Sequence, residues 1–343
     1  MSLFFSKQLF AEGMVDEILL YEQAQAVLAD LQYQLTTSIL QELFKKQGIH
    51  LATMVLNMWL KEYKHKAFYQ ELAGMPVTPD LTPVPVKLLI VPGMFYKEYP
   101  ELGGNGHFIR DIARRCGFDA DIVETRSIGS IEGNIKQVQQ AIIENSDQPL
   151  WLVSMSKGSA EVALALMELT EKQYAAVQGW VSLCGVLKGS PVADKRLRSP
   201  LRRTLFKGYA ALTGLDYRGF DDLRSLHPWW SRLSLPENIE MVHLQPVPLP
   251  GYVHASLIKR YLELSLYGPN DGTLYLEDLI DYPGHVYPLW GVDHLFRDRD
   301  VIPLIYKLCH YIKNYHSKRE HENEENKITY NGRGHLGTRA IVI

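Results

Sequence analysis

Cysteine is scarce. Cys116, Cys184 and Cys309 are the only three in 343 residues, and they lie far apart. Neither a zinc-type spacing nor a disulfide framework can be built from them. Cys184 stands in an apolar, strand-like run and reads as a small core residue; a reducing compartment fits such usage. Positive charge is not in excess either. With 36 Lys and Arg against 39 Asp and Glu, the formal net charge is −3, so no whole-molecule field favours nucleic acid. No stretch approaches the ~18 uninterrupted apolar residues that crossing a bilayer requires. The opening segment MSLFFSKQLFAEGMVDE has a short apolar patch, soon broken by Lys7, Glu12, Asp16 and Glu17, and makes a poor signal peptide. Leu102–Gly106 is Gly-rich without forming G-x-G-x-x-G; G-K-[ST] and H-E-x-x-H do not occur. No metal, nucleotide or other cofactor is expected. What remains is 46% hydrophobic and 22% charged, the profile of a soluble globular protein, expected to be cytoplasmic.

The chain divides by pattern. Residues 1–74 read as a helical accessory region that covers a face of the main domain. Leu28, Leu31, Leu35, Ile39 and Leu43 recur at three- and four-residue steps, Gly48 marks a turn, and Leu51, Val55, Met58 and Trp59 continue on a second helix. MPVTPDLTPVP, residues 75–85, carries four prolines and reads as an extended linker. From residue 86 to 316 short apolar runs alternate with helical patterns. Strands are expected at 86–91, 120–124, 149–153, 177–183, 239–244 and 286–290, with helices at 106–115, 131–144, 160–169 and 299–315. Apolar runs without alternation imply a doubly wound, mostly parallel sheet covered on both faces. The charged, then glycine-spotted tail 317–343 is expected to be disordered.

A long insertion, about residues 187–236, separates the fourth and fifth strands. It carries Lys188, Lys195, Arg196, Arg198, Arg202, Arg203 and Lys207 against few acids. An insertion there is commonly a cap or lid over a site. Its charge is either a solvated outer face or an attraction to anionic lipid or an acidic substrate.

The chemistry rests on VSMSKGSA, residues 153–160, directly after Trp151 and Leu152. A nucleophilic serine needs exposure on a sharp strand-to-helix turn, which small residues two before and two after allow. Here those are Ser154 and Gly158, so the pentapeptide is S-x-S-x-G where G-x-S-x-G is usual. Downstream, Asn270-Asp271-Gly272 presents an acid in a turn, and His294 follows the last strand-like run. The order Ser156, Asp271, His294 is that of doubly wound hydrolases. Each residue also has a plain structural reading: Ser156 as a helix cap, Asp271 as an Asx turn, His294 as a core histidine. Asp293 and Glu124 are rival acids. Ser154-Met155-Ser156-Lys157 also spells S-x-x-K, but no K-T-G strand follows it.

From Val86 to Tyr315 these motifs resemble the α/β-hydrolase superfamily, nearest its lipase and esterase branch. The resemblance is carried by VSMSKGSA, GPNDGTL, GVDH and the early LLIVPGM loop. VSLCGVLKGSP is similar to the segment of bacterial lipases in which the strand after the nucleophile ends in a Thr-Pro-His-Gly-Ser-like loop. Ser154 departs from the family's glycine, and Pro92-Gly93 stands where the family often has His-Gly. The resemblance implies Ser156 as nucleophile, His294 as general base and acid, and Asp271 as the orienting anion. It implies an oxyanion hole made by backbone N–H groups of Lys157 and of Met94 or Phe95. Trp229 and Trp230, late in the insertion, are expected to line an acyl pocket.

The expected activity is hydrolysis of carboxylic esters, small or lipid-like, through an acyl-enzyme on Ser156. An acyltransferase or thioesterase would use the same triad, and a hydrolase fold kept only for binding is the non-catalytic alternative. The expected partner is the ester itself, with peripheral membrane contact through the basic insertion and no nucleic acid.

Overall fold

Six short apolar segments lie side by side in one sheet: β1 Lys87–Val91, β2 Asp119–Ile122, β3 Leu150–Met155, β4 Val177–Leu183, β5 Glu240–Val247 and β6 His285–Trp290. The computed structural model describes residues 16–296 and 301–334, with side chains as far as Glu322. Strand order is β2-β1-β3-β4-β5-β6, and every pairing is parallel. Burial explains the composition: all six residues of β3 are inside, so Leu-Trp-Leu-Val needs no polar face.

Alternate residues of each strand feed opposite layers. Leu89, Val91, Leu152 and Trp180 join one core with α1 Glu17–Asp30, α2 Thr37–Gln47, α3 Ile49–Trp59, α6 Ile131–Glu144 and α7 Lys157–Glu168. Leu88, Ile90, Val153 and Val181 join the other with α4 Lys66–Gly74, α5 His107–Arg115 and α11 Val301–Gly334. The amino-terminal helices are therefore part of the layer that buries the sheet. No helix among the described residues is long and apolar enough to cross a membrane.

Several expectations need correction. The leucine spacing from Leu28 to Leu43 does not make one helix. Gln32 and Tyr33 take positive φ, Leu35 is buried in the connection, and Thr36 caps α2 by accepting the Ile39 N–H at 3.3 Å. Gly48, with φ 85°, separates α2 from α3 as the turn signal indicates. A π-helical turn, Leu60–Lys64, then leads to α4. The tail is not disordered from Ser317: α11 continues to Gly334. Charge there is compatible with helix because Lys, Arg and Glu are good formers and have partners, His316 with Glu320 at 3.3 Å and Lys318 with Glu71 at 3.2 Å. The expectations for residues 1–15 and 335–343 lie outside the described residues.

The insertion folds as α8 Pro191–Leu197, α9 Pro200–Thr213 and helical turns at Arg218–Asp221 and Pro228–Arg232. It is fastened to the main domain by Asp222, which accepts the Ile131 N–H at 2.8 Å, and by Lys195, which pairs with Glu263 at 2.5 Å; within it, Ser190 N–H donates to Leu223 O at 2.7 Å. Glu263 belongs to α10 Ala255–Leu264, an element the sequence pattern did not announce.

Candidate active site

β3 ends at Met155 and α7 begins at Lys157, so Ser156 alone makes the turn, with φ 49° and ψ −115°. Such a backbone costs about 1–3 kcal/mol and persists only when its surroundings hold it. Here Ser156 N–H donates to Leu183 O at 2.9 Å, and Ser156 O accepts from Ser159 N at 3.0 Å and Val186 N at 3.3 Å. Two residues on, a Cβ at Gly158 would lie 2.4 Å from Pro92 O and 2.6 Å from Val91 O. The start of α7 packs against the end of β1 so closely that only glycine fits.

Two residues before, Ser154 is fully buried and its hydroxyl is used. It accepts from Trp180 Nε1 at 2.7 Å and shares a 2.8 Å hydrogen bond with Ser159 Oγ, which also accepts from Ser182 Oγ at 3.0 Å. The chain Trp180–Ser154–Ser159–Ser182 ties β3, β4 and α7 together behind Ser156. A buried hydroxyl is tolerated when it is bonded, and this is why serine can stand where glycine is usual.

The structure brings Ser156, His294 and Asp271 together at the carboxyl ends of the strands. Ser156 Oγ lies 3.0 Å from His294 Nε2, and His294 Nδ1 lies 2.8 Å from Asp271 Oδ2. A carboxylate only accepts, so Nδ1 carries the proton and Nε2 is free to accept the serine hydroxyl. Asp271 is fully buried. Its Oδ1 accepts the N–H groups of Thr273 at 2.8 Å and Leu274 at 2.7 Å, and Gln245 Nε2 is 3.4 Å from Oδ2. Asn270 braces the same turn, accepting the Gly272 N–H at 2.9 Å. His294 N–H donates to Asp271 O at 3.2 Å, joining the two loops through backbone as well. Burial opposes charge on the imidazole; the neighbouring Cys184 sulfur and the Asp271 carboxylate outweigh it and hold His294 well above the ordinary histidine value.

The rival acids are placed elsewhere. Asp293 accepts from His254 N at 2.7 Å and Leu295 N at 2.9 Å, which makes it a brace for α10 and the histidine loop. Glu124 is exposed, beside α6.

Lys157 N–H, at the first position of a 12-residue helix, has no intrahelical acceptor and adds the helix dipole. Across from it, Gly93 comes within van der Waals range of Ser156 Cβ: a Cβ there would be 3.7 Å away. The Gly93 N–H is already given to Gly104 O at 2.9 Å, which leaves Met94 and Phe95 as donors on this loop. Phe95 has φ 64°. The Lys157 side chain turns inward and is buried against Glu161, which also accepts from Asn134 Nδ2 at 2.6 Å. Burial pushes the Glu161 carboxyl up, while Lys157 and Asn134 oppose it.

Three placements were not foreseen. Cys184, just after β4 with φ 43°, is buried in the core as expected, and its sulfur is also near enough to the His294 imidazole to affect its charge. Its contact depends on β4 lying beside both β3 and β5, which no local signal carries. Phe220, from the insertion, meets Phe95 with ring centroids 6.0 Å apart. Trp230 is not at Ser156: it lines a groove with Ile239, Glu240 and His285, at the opposite end of β5 and β6, and its Nε1 donates to Arg224 O at 2.7 Å. Trp229 lies against His227, ring centroids 4.1 Å apart and planes tilted by 45°. A Trp pair following proline packs the foot of the insertion, and the aromatic wall near the elbow comes from Phe95 and Phe220.

No family model matches the chain, and no curated protein matches it. Solved structures do. The chain is similar to a metagenomic carboxyl esterase at 19% identity, with 71% of this chain and 80% of that one covered and a TM-score of 0.57. A lipase from Bacillus licheniformis in mature form is matched at 17% identity, over 69% of this chain and 94% of that one, with a TM-score of 0.47. A soluble variant of monoglyceride lipase from Saccharomyces cerevisiae is matched at 11% identity, over 70% and 90%, with a TM-score of 0.45. The first likeness, with the parallel sheet and its helical layers, shows an α/β-hydrolase fold.

Proposed function

We propose that this α/β-hydrolase-fold protein is a cofactor-independent serine hydrolase of carboxylic esters. The observation that carries the reading is the bonded chain from Ser156 through His294 to buried Asp271, with the serine on a strained strand-to-helix turn. Ser156 Oγ attacks the ester carbonyl as His294 Nε2 takes its proton. The oxyanion forms against the N–H groups of Lys157 and of Met94 or Phe95. The tetrahedral adduct collapses, the alcohol leaves with the proton from His294, and an acyl group remains on Ser156. Water, deprotonated by His294, attacks that acyl group; the acid departs and the serine regains its proton. Asp271 orients the imidazole and stabilises its charged form throughout. Phe95 and Phe220 supply an apolar wall suited to an acyl chain.

The argument for a fold retained only for binding rests on Ser154. It is weakened by the hydroxyl's place in a buried, bonded chain that leaves the turn intact. We also propose peripheral contact with an anionic membrane through the basic insertion. Labelling with a fluorophosphonate tests the hydrolytic reading, since only an activated serine reacts. The parent protein should be labelled on Ser156 and hydrolyse a short soluble ester, and Ser156→Ala should do neither. An unlabelled parent, or a labelled Ser156→Ala, refutes it.

A further inference from the structure

α9 buries only Phe206 and Ala210. On its outer side Leu201 is 70% exposed, Leu205 65%, Tyr209 54% and Leu212 89%. Steps of three and four place these on one face. Single exposed leucines need no explanation, but a continuous stripe of them does. A 14-residue helix is about 21 Å long, too short to span a bilayer and suited to lie along one.

Beneath the stripe, between the insertion and α10, runs a groove of about 530 Å³. Leu205 and Tyr209 belong to both stripe and groove, so the two surfaces are continuous. Lys195, Arg196, Arg202 and Arg260 also line it, against one carboxylate, Glu263, which is already bonded to Lys195. The Arg196 guanidinium lies over the rings of Phe206 and Phe220, 5.6 and 5.9 Å from their centroids. Neither Arg196 nor Arg260 has a carboxylate partner among the described residues. Loss of hydration and then the proximity of Arg196 lower the pKa of Arg260, and the Asp271 carboxylate offsets this only in part. By contrast Arg203 is committed to the insertion itself, its Nε donating to Leu197 O at 2.8 Å.

Two unpaired guanidiniums beside an apolar ridge match a phosphate attached to hydrocarbon. We propose that the outer face of α9 and the groove beneath it dock the protein on an anionic phospholipid bilayer, the stripe entering the interface while Arg196 and Arg260 take lipid phosphates. This rests on the reading of the insertion as membrane-facing and not on hydrolysis at Ser156. Nucleic acid would use the cations and leave the leucines in water. A second copy of the chain would leave the cations without counter-charge.

The test is sedimentation of full-length Ser156→Ala protein with phosphatidylcholine vesicles, with and without phosphatidylglycerol, while fluorophosphonate labelling of the parent is scored separately. Binding should require the anionic lipid and weaken as salt rises. Arg196→Gln with Arg260→Gln should reduce partitioning roughly thirtyfold, at about one kcal/mol per basic residue. Leu201→Ser, Leu205→Ser and Leu212→Ser together should reduce it at least tenfold at low and high salt alike. All the changed side chains reach the surface, so thermal melts should match the parent. If Ser156→Ala binds anionic vesicles and both sets of variants bind equally well, the docking surface is refuted while membrane contact stands. If it binds no anionic vesicles, both are refuted. Full competition by inorganic phosphate would mean a site for free anions. A dimer without lipid, lost in the leucine variant, would mean a self-association face. Either outcome overturns the proposal.

Discussion

The Lys157–Glu161 ion pair behind Ser156 offers a demanding check on how the turn is held. The Lys157 and Glu161 side chains are 3% and 1% exposed. Removing one partner leaves a charge that burial cannot tolerate, and the remaining group escapes by changing its protonation. In Lys157→Met the folded protein keeps Glu161 neutral while the unfolded chain ionises it. At pH 7 this costs about 1.36 kcal/mol for each of the ~2.7 units above an unfolded glutamate's pKa, or about 4 kcal/mol. In Glu161→Gln a buried ammonium loses its carboxylate, a loss of roughly 3–5 kcal/mol. Lys157→Met binds more protons folded than unfolded, so its stability falls by about 1.4 kcal/mol for each pH unit gained. Urea unfolding at pH 6, 7 and 8 reads this slope. The double variant Lys157→Met with Glu161→Leu should recover most of the loss, because no buried charge remains. Both single variants should also be labelled more slowly by a fluorophosphonate, since the Lys157 backbone N–H is the proposed oxyanion donor and the pair holds its turn. A flat pH dependence in Lys157→Met, or losses under about 1 kcal/mol in either single variant, would refute a buried, mutually dependent pair.

Three further outcomes follow from the site. Asp271→Asn should lower ester turnover by about four orders of magnitude, and Asp293→Asn by less than about tenfold, since its carboxylate only braces backbone N–H groups; steady-state kinetics decide, and a reversed ranking refutes the choice of acid. The acid limb of kcat/KM should lie above the ordinary histidine value of ~6.5, because His294 must lose its proton to act as base and its surroundings hold that proton; Asp271→Asn should move the limb down, and a parent limb below 6.5 contradicts the assignment. Gly158→Ala should lose about 2 kcal/mol or more in thermal or urea unfolding, with slowed labelling, since its Cβ would fall 2.4 Å from a backbone oxygen.

Much of the fold is legible in the chain where burial is simple. β1, β3 and β4 lie inside the sheet, so their sequences are mainly apolar and their ends fall within two residues of the pattern. Ser130 marks the start of α6 because its side chain accepts the Gly133 N–H at 3.2 Å. Around the elbow, Ser156 and its neighbours read correctly as strand, turn and helix because that geometry is local. Other features depend on packing. α10 buries only Leu257, Tyr261 and Leu264, too faint a stripe between two proline-bearing loops. The break between α1 and α2 hides behind leucines that keep their spacing while Leu35 is buried in the connection. Cys184 is buried as its apolar run indicates, but the placement of Trp230 was not legible, because which end of the sheet a side chain meets is decided by neighbours distant in sequence.

One strap has a consequence for how the protein is made. Residues 71–82 are held by α11: Lys307 donates to Ala73 O, His310 is bonded to Thr78 O at 2.9 Å, Lys313 to Asp80 at 2.9 Å, and Lys318 to Glu71 at 3.2 Å, across 232 to 247 positions of chain. At a ribosomal pace of ~5–20 residues per second, the first half of each contact waits roughly 12–50 s for the second. Until then α4 and one face of β1 and β3 lack part of their cover, α5 alone remaining from that layer, and Phe68, Leu72, Leu88 and Val153 stay partly open to solvent or to other chains. The nascent protein therefore carries a sticky, half-dressed sheet for most of its synthesis, and it is at this stage that a holding chaperone would find it.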